Sequence, residues 1–136
     1  MADGEITEFV HAGGIRIEDC AQVFANAVIA RAIFRQFTTI SKNCRVGNLA
    51  FISHNAQIGE ATFVGHGSVV NGNVRTGACV WLGPGCTLIH CVTIGEHARI
   101  SAGSTVIQDV PPGGHVTGNI AIEHRRFLRH VASISR

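Results

Sequence analysis

A chain of 136 residues, 46% hydrophobic and 15% charged, is long enough for one packed domain and too apolar to be disordered. A net charge of +2, with seven Phe, one Trp and no Tyr, supplies neither the basic surface nor the stacking platform of a nucleic-acid binder. Five Cys without CxxC spacing fit reduced thiols better than disulfides or a zinc site. No run reaches the ~18 apolar residues of a membrane span, and the acidic start MADGEITEF is unlike a signal peptide, so a cytoplasmic protein with no membrane span is expected.

Residues 1–14 carry no period and are expected to cap the open end of the first repeat, because an exposed strand edge needs a cover. Ile17, Val23 and Ile29 then begin a six-residue rhythm. Eleven residues separate Ile29 from Ile40 where a multiple of six would be twelve. The irregularity falls within Ala30 to Thr39, the segment ARAIFRQFTT, and is expected to bulge or shorten one corner. From Ile40 the rhythm is unbroken through Val46, Ile52, Ile58, Val64, Val70, Thr76, Leu82, Leu88, Ile94, Ile100 and Val106, and eleven of the twelve are aliphatic. A small or turn-forming residue follows most of them, and a compact one sits two places before, from Thr38 and Cys44 through to Ser104.

Neither a helix period of 3.6 nor strand alternation yields a strict six; a hexapeptide-repeat parallel β-helix does. Three short strands, each turning one aliphatic side chain inward, close an 18-residue triangular coil. Gly59, Gly65, Gly77, Gly83 and Gly95 are expected where the backbone needs unusual φ/ψ or a neighbouring coil passes closely. Cys44 and Cys86 stand in the compact column and are expected to be packing residues. Ile17 to Val106 makes about five coils, a stack on the order of 24 Å tall.

The paired prolines of Asp109-Val110-Pro111-Pro112-Gly113-Gly114 are expected to end the repeat at residue 110 and turn the chain out of the tube. After Thr117-Gly118-Asn119, a helix-start signal, Phe127, Leu128, Val131 and Ile134 keep helical spacing. Glu123, Arg125, Arg126, Arg129 and His130 lie mostly on the other faces. Residues 111–136 are therefore expected to form a turn and a C-terminal amphipathic helix with a basic side. That helix either caps the last coil or a neighbouring subunit, or docks something anionic. Three-sided prisms with flat faces also suit a homotrimeric ring.

Of eight His, most are expected at the surface or in the tail. His54, Gly72 and His90 are spaced by 18 and share one column, with the two histidines roughly 10 Å apart. His66 belongs to another column. His54 follows inward Ile52 by two places and should point outward at a corner, where a lone histidine is more often inert than functional. Gly65-His66-Gly67 lacks the third glycine, following helix and βαβ frame of a dinucleotide loop. No Cys/His spacing suggests a metal site.

The run from Ile17 to Gly59 is similar to the β-helical part of UDP-3-O-(3-hydroxyacyl)glucosamine N-acyltransferases of lipid A (lipopolysaccharide) synthesis. More broadly it resembles hexapeptide-repeat acyltransferases and N-acetyltransferases that modify amino sugars. The core of the resemblance is Phe51-Ile52-Ser53-His54-Asn55-Ala56-Gln57-Ile58-Gly59, continued by Val69-Val70-Asn71-Gly72, the Pro-Pro-Gly turn and the C-terminal helix. It implies an all-β solenoid, a left-handed parallel β-helix of about five coils with a C-terminal α-helix. It implies acyl transfer from a pantetheine thioester to an amino sugar, in nucleotide-linked form, with no bound cofactor.

Within that resemblance His54 falls on the catalytic general base and Gly72 on the glycine whose N–H stabilises the oxyanion. His90 and Asn55 are possible supports. The donor is acyl carrier protein or acetyl-CoA, which Arg125, Arg126 and Arg129 could meet, with the pantetheine arm in a groove between subunits of a homotrimer. Three features depart from the family. Its N-terminal uridine-nucleotide domain and several early coils have no counterpart in this chain. Its second histidine is displaced by one, to His90. No carboxylate adjoins His54. Two other readings stay open: a non-catalytic trimeric β-helix scaffold, and metal catalysis of the carbonic-anhydrase kind, which needs three convergent histidines.

Overall fold

The structure, a computed structural model, describes residues 10–118, 129–130 and 132–134. Short strands form three parallel sheets, the three sides of a prism. The first side stacks Gly14–Ile17, Phe37–Ile40, Gln57–Ile58, Arg75–Thr76 and Thr93–Ile94. The second stacks Gln22–Val23, Arg45–Val46, Phe63–Val64, Trp81–Leu82, Arg99–Ile100 and His115–Val116. The third stacks Val28–Ile29, Phe51–Ile52, Val69–Val70, Thr87–Leu88 and Thr105–Val106. Successive strands lie on successive sides, and every third strand pairs with the one beneath, Phe63 beside Trp81 and Val64 beside Leu82. This is the expected left-handed parallel β-helix.

The period dictates the core. Every residue of the aliphatic column from Ile40 to Val106, and every residue of the compact column from Thr38 to Ser104, is buried. One column fills the tube's interior, and the other lets the chain bend toward it before each strand. Burying an Ile, Val or Leu contributes roughly 1.5–3 kcal/mol, and the tube repeats that gain at each strand. Hydroxyls in the compact column are satisfied by the next coil: Thr62 Oγ1 donates to Gly77 O at 3.2 Å and Ser68 Oγ to Gly83 O at 3.1 Å. Cys44 and Cys86 are buried in the same column, and the Cys44 thiol donates to Gly59 O at 3.0 Å.

Each corner needs one left-handed residue, and it recurs every six: Asn43, Leu49, Asn55, Ala61, Gly67, Asn73, Cys79, Gly85, Cys91, His97 and Gly103 all have φ between 54° and 67°. The glycine that directly follows the inward residue serves the second purpose expected of it, close approach. A Cβ on Gly77 would lie 2.5 Å from the amide nitrogen of Glu96 in the coil above.

The Ala30 to Thr39 segment bulges and lengthens its corner; it does not shorten it. Ile17 pairs with Ile40, 23 residues on, where ordinary coils such as Leu82 to Ile100 are offset by 18. The single connection from Ile29 to Ile40 thus carries five extra residues, a difference that the count modulo six disguises as one residue too few. Nor do the prolines end the tube. Val110 bridges to Ile94, and His115–Val116 pairs with Arg99–Ile100 on the second side. Pro111 and Pro112 occupy a corner, where the ladder asks for no N–H, and Gly113 supplies the left-handed step at φ 68°.

Residues 1–9 lie outside the described residues. Ala12 N donates to Ile33 O at 2.8 Å and Gly13 N to Ala32 O at 3.1 Å, so the described part of the N-terminal segment pairs with the long corner. At the other end Arg129, His130 and Ala132 to Ile134 are helical and exposed. Ile134, one of the four helically spaced apolar residues, is 67% exposed; Phe127, Leu128 and Val131 lie outside the described residues. No helix among the described residues is long and apolar enough to cross a membrane.

Candidate active site

The corner joining the third side to the first is built from residues 53–55, 71–73 and 89–91, stacked coil over coil. Its middle positions are His54, Gly72 and His90, the column expected from the 18-residue spacing. His54 follows Phe51–Ile52, whose inward Ile52 is fully buried, so the next two residues must turn outward. The imidazole then leans up the prism onto Gly72. A Cβ on Gly72 would lie 2.5 Å from His54 Cε1 and 2.6 Å from Nε2, so only glycine leaves room for the ring. The Gly72 N–H donates to no acceptor among the described residues. A base and an uncommitted backbone donor therefore share one corner.

The His54 and His90 ring centroids are 6.1 Å apart, closer than the strand spacing alone indicated, with the His54 ring leaning up onto the intervening glycine. A third ring, His11, meets His54 edge-on at 6.4 Å. His54 is half-buried, and its Nδ1 is buried without a hydrogen-bond partner among the described residues. Desolvation, followed by the charges that His90 and His11 can carry, pushes its pKa below the ordinary 6.5. The imidazole is neutral at pH 7, the state in which it can accept a proton.

Asn55 does not touch His54's ring nitrogens. Its Oδ1 accepts the N–H of Ile33 at 2.9 Å, and its Nδ2 donates to Asn73 Oδ1 at 3.1 Å. Asn73 Nδ2 in turn lies 3.4 Å from His90 Nε2. Thr38 Oγ1 takes the Asn55 N–H at 2.9 Å, and Gln57 Nε2 donates to Phe37 O at 2.7 Å. The long corner is thereby tied to the histidine column.

Sequence reasoning missed three participants. Asn73 was discoverable, since Asn55 and Asn73 form their own 18-residue column. His11 and the Ile33 amide come from segments without a period and gave no signal. Of the proposed donor-binding arginines, Arg129 is exposed on the terminal helix and Arg125 and Arg126 lie outside the described residues. His66 sits at a different corner, where its Nδ1 accepts the Asn48 N–H at 2.9 Å. Among the described residues no group of three or more His, Cys, Asp or Glu side chains is arranged to hold a metal ion.

Comparison with known proteins identifies relatives of the chain. A UDP-3-O-acylglucosamine N-acyltransferase from Caulobacter sp. (strain K31) is 29% identical over 131 residues, covering 96% of this chain and 38% of that enzyme. The enzyme of the same name from Albidiferax ferrireducens is 31% identical over 125 residues, covering 91% of this chain and 38% of its own length. The chain thus spans about two fifths of the length of the curated relatives it matches. Among solved structures, PerB from Caulobacter crescentus in complex with CoA and GDP-perosamine superimposes with a TM-score of 0.69 at 25% identity, over 80% of this chain and 53% of PerB. LpxA from Acinetobacter baumannii shares the fold, with a TM-score of 0.75 at 19% identity over 85% of this chain and 47% of that one. Residues 37–72 and 73–108, more than half of the chain, match the family described as bacterial transferase hexapeptide (six repeats). The chain belongs to that bacterial transferase hexapeptide family.

Proposed function

We propose that the chain moves an acyl or acetyl group from a pantetheine thioester to the amine of an amino sugar. The observation that carries this reading is the seat of the neutral His54 imidazole against Gly72, whose N–H is uncommitted. The amine attacks the thioester carbonyl, and a C–N bond forms. His54 takes the proton that the nitrogen must lose, a contribution typically of about 10²–10⁴-fold. The Gly72 N–H donates to the carbonyl oxygen as it gains negative charge, for which one aligned donor is worth roughly 10²–10³-fold. The C–S bond then breaks, and the proton held by His54 returns to the departing sulfur as thiol. No cysteine is acylated, and no cofactor beyond the thioester takes part.

The curated relatives are named for an acylglucosamine acceptor, and PerB was solved with CoA and a nucleotide-linked amino sugar. Those names support an amino-sugar acceptor and CoA or acyl carrier protein as the carrier. In the proposal Arg125, Arg126 and Arg129 meet the carrier's phosphates or acidic surface. Phe51 on the third side and Trp81 on the second, 37% and 42% exposed, support self-association, and a homotrimer completes the proposal. Localisation in the cytoplasm belongs with it, since CoA and acyl carrier protein are cytoplasmic carriers.

The test is thiol release from acetyl-CoA and from acyl carrier protein thioesters with a panel of nucleotide-linked amino sugars. Turnover by the wild type that is lost in His54→Ala supports the reading. Absence of turnover with every pair overturns it in favour of a trimeric β-helix scaffold without activity.

A further inference from the structure

We infer that Asn73 is a positioning residue: an amide ladder running from the long corner to His90 holds that histidine with its proton on Nδ1, leaving an N–H to donate to a substrate oxygen. The ligand half of this inference rests on the acyl-transfer reading of the corner; the tautomer half does not.

The argument follows hydrogen-bond polarity from one end. A backbone N–H can only donate, so the Ile33 amide requires Asn55 to present its carbonyl oxygen, at 2.9 Å. The other end of that side chain must then be its NH₂. It meets Asn73 at 3.1 Å, so Asn73 must present its own carbonyl oxygen. The NH₂ of Asn73 is left facing His90 Nε2 at 3.4 Å. A donor faces that nitrogen, so Nε2 carries the lone pair and the neutral ring carries its proton on Nδ1. No flip of either amide keeps the chain intact, because each would set donor against donor or acceptor against acceptor.

The long corner thereby gains a purpose. Its five extra residues bring an N–H to the foot of the ladder, and the polarity set there is read two coils higher. His90 is exposed and makes no other hydrogen bond among the described residues, so its Nδ1–H is available to a ligand. It also stands 6.1 Å from the His54 ring, within the span of one bound sugar or thioester.

Asn55 and Asn73 both occupy left-handed positions, φ 59° and 60°, which asparagine tolerates well. A backbone role alone would explain two asparagines, and the experiment must separate that from polarity control. Asn73→Gly keeps the left-handed step and removes the amide. Asn73→Asp keeps the shape and still accepts from Asn55, but turns an acceptor toward His90.

The measurement is the imidazole ¹⁵N spectrum of the full chain at pH about 9, where histidine is neutral. The wild type should show His90 protonated on Nδ1. Asn73→Asp should move the proton to Nε2, and Asn73→Gly should abolish the Nδ1 preference. A wild-type ring protonated on Nε2, or a tautomer indifferent to Asn73→Asp, overturns the inference. In the thiol-release assay, loss of one donated hydrogen bond should lower kcat/KM on the order of tenfold in both variants, with the melting curve of Asn73→Gly close to wild type. The predicted tautomers in a chain that turns over no substrate would refute the acyl-transfer reading and leave the ladder standing; turnover with the wrong tautomer would do the reverse.

Discussion

The ring of His54 occupies the space that a side chain on Gly72 would need: a Cβ there would come 2.5 Å from Cε1 and 2.6 Å from Nε2. The two residues are 18 apart in sequence and one coil apart in space, so imidazole and amide are held by the stacking of the tube itself. Gly72→Ala should push the imidazole out of the corner while leaving the coil intact, because the ring can swing into solvent. A displacement of about 1 Å in a reacting group costs on the order of 10²-fold in rate. Thiol release by Gly72→Ala should therefore fall about 100-fold at a nearly unchanged melting temperature. A variant that keeps the wild-type rate would show that the contact has no part in the chemistry.

The environment of His54 sets a pH dependence. Burial and the neighbouring His90 and His11 lower its pKa below 6.5. In the proposed mechanism the neutral form is the one that accepts the proton, so kcat/KM should be flat through neutrality and fall only on the acid side of about 6.5, with a slope of one proton. Stability has the same sign. As pH falls below about 6.5 the unfolded chain binds a proton that the folded chain still refuses, so His54's contribution is present above the unfolded pKa and lost as pH falls through the folded one. Replacing His11 with Ala removes one of the cations opposing protonation, and should move the acid limb toward higher pH. An acid limb unaltered by His11→Ala would assign the lowered pKa to burial and His90, without His11.

The parts of the molecule governed by a period were legible in the sequence, and the parts governed by a loop were not. Ile40 to Val106 predicted the buried column residue by residue, because one inward side chain per strand is a geometric requirement of the tube. The same spacing brought His54, Gly72 and His90 to one corner. The long corner resisted reading because a count modulo six cannot distinguish five added residues from one removed. His11 reaches His54 from a segment that obeys no period. The left-handed column gave no signal of its own because glycine is rare where the positive φ falls: Asn, Cys, Ala, His and Leu occupy most of those positions. Glycine is concentrated two places earlier, where crowding by the next coil excludes a Cβ.

That arrangement leaves strain that can be relieved. Leu49 has φ 59° and is 66% exposed, so it bears the cost of a left-handed branched side chain with little burial in return. The left-handed region costs an ordinary residue roughly 1–2 kcal/mol, and asparagine less. Leu49→Asn should stabilise the chain by about 0.5–1 kcal/mol in urea or thermal unfolding, with no effect on the His54 corner, which lies on a different edge of the prism. A lower midpoint would mean that the leucine packs against another surface, such as a second copy.

The cysteines report on the tube from inside. Cys44 and Cys86 are fully buried in the compact column, and burial raises both thiol pKa values, more than their hydrogen bonds lower them. Cys20, Cys79 and Cys91 stand at corners, exposed, each with positive φ. A disulfide reagent such as an aryl disulfide attacks thiolates that it can reach, so three of the five thiols should react quickly in the native protein. Cys44 and Cys86 should follow only at the rate at which coils open, and all five should react at once in denaturant. Adding a mild denaturant should accelerate the slow pair and leave the fast three unchanged. A fourth or fifth fast thiol in the native state would mean that the compact column is open to solvent, and with it the coil that supports His54.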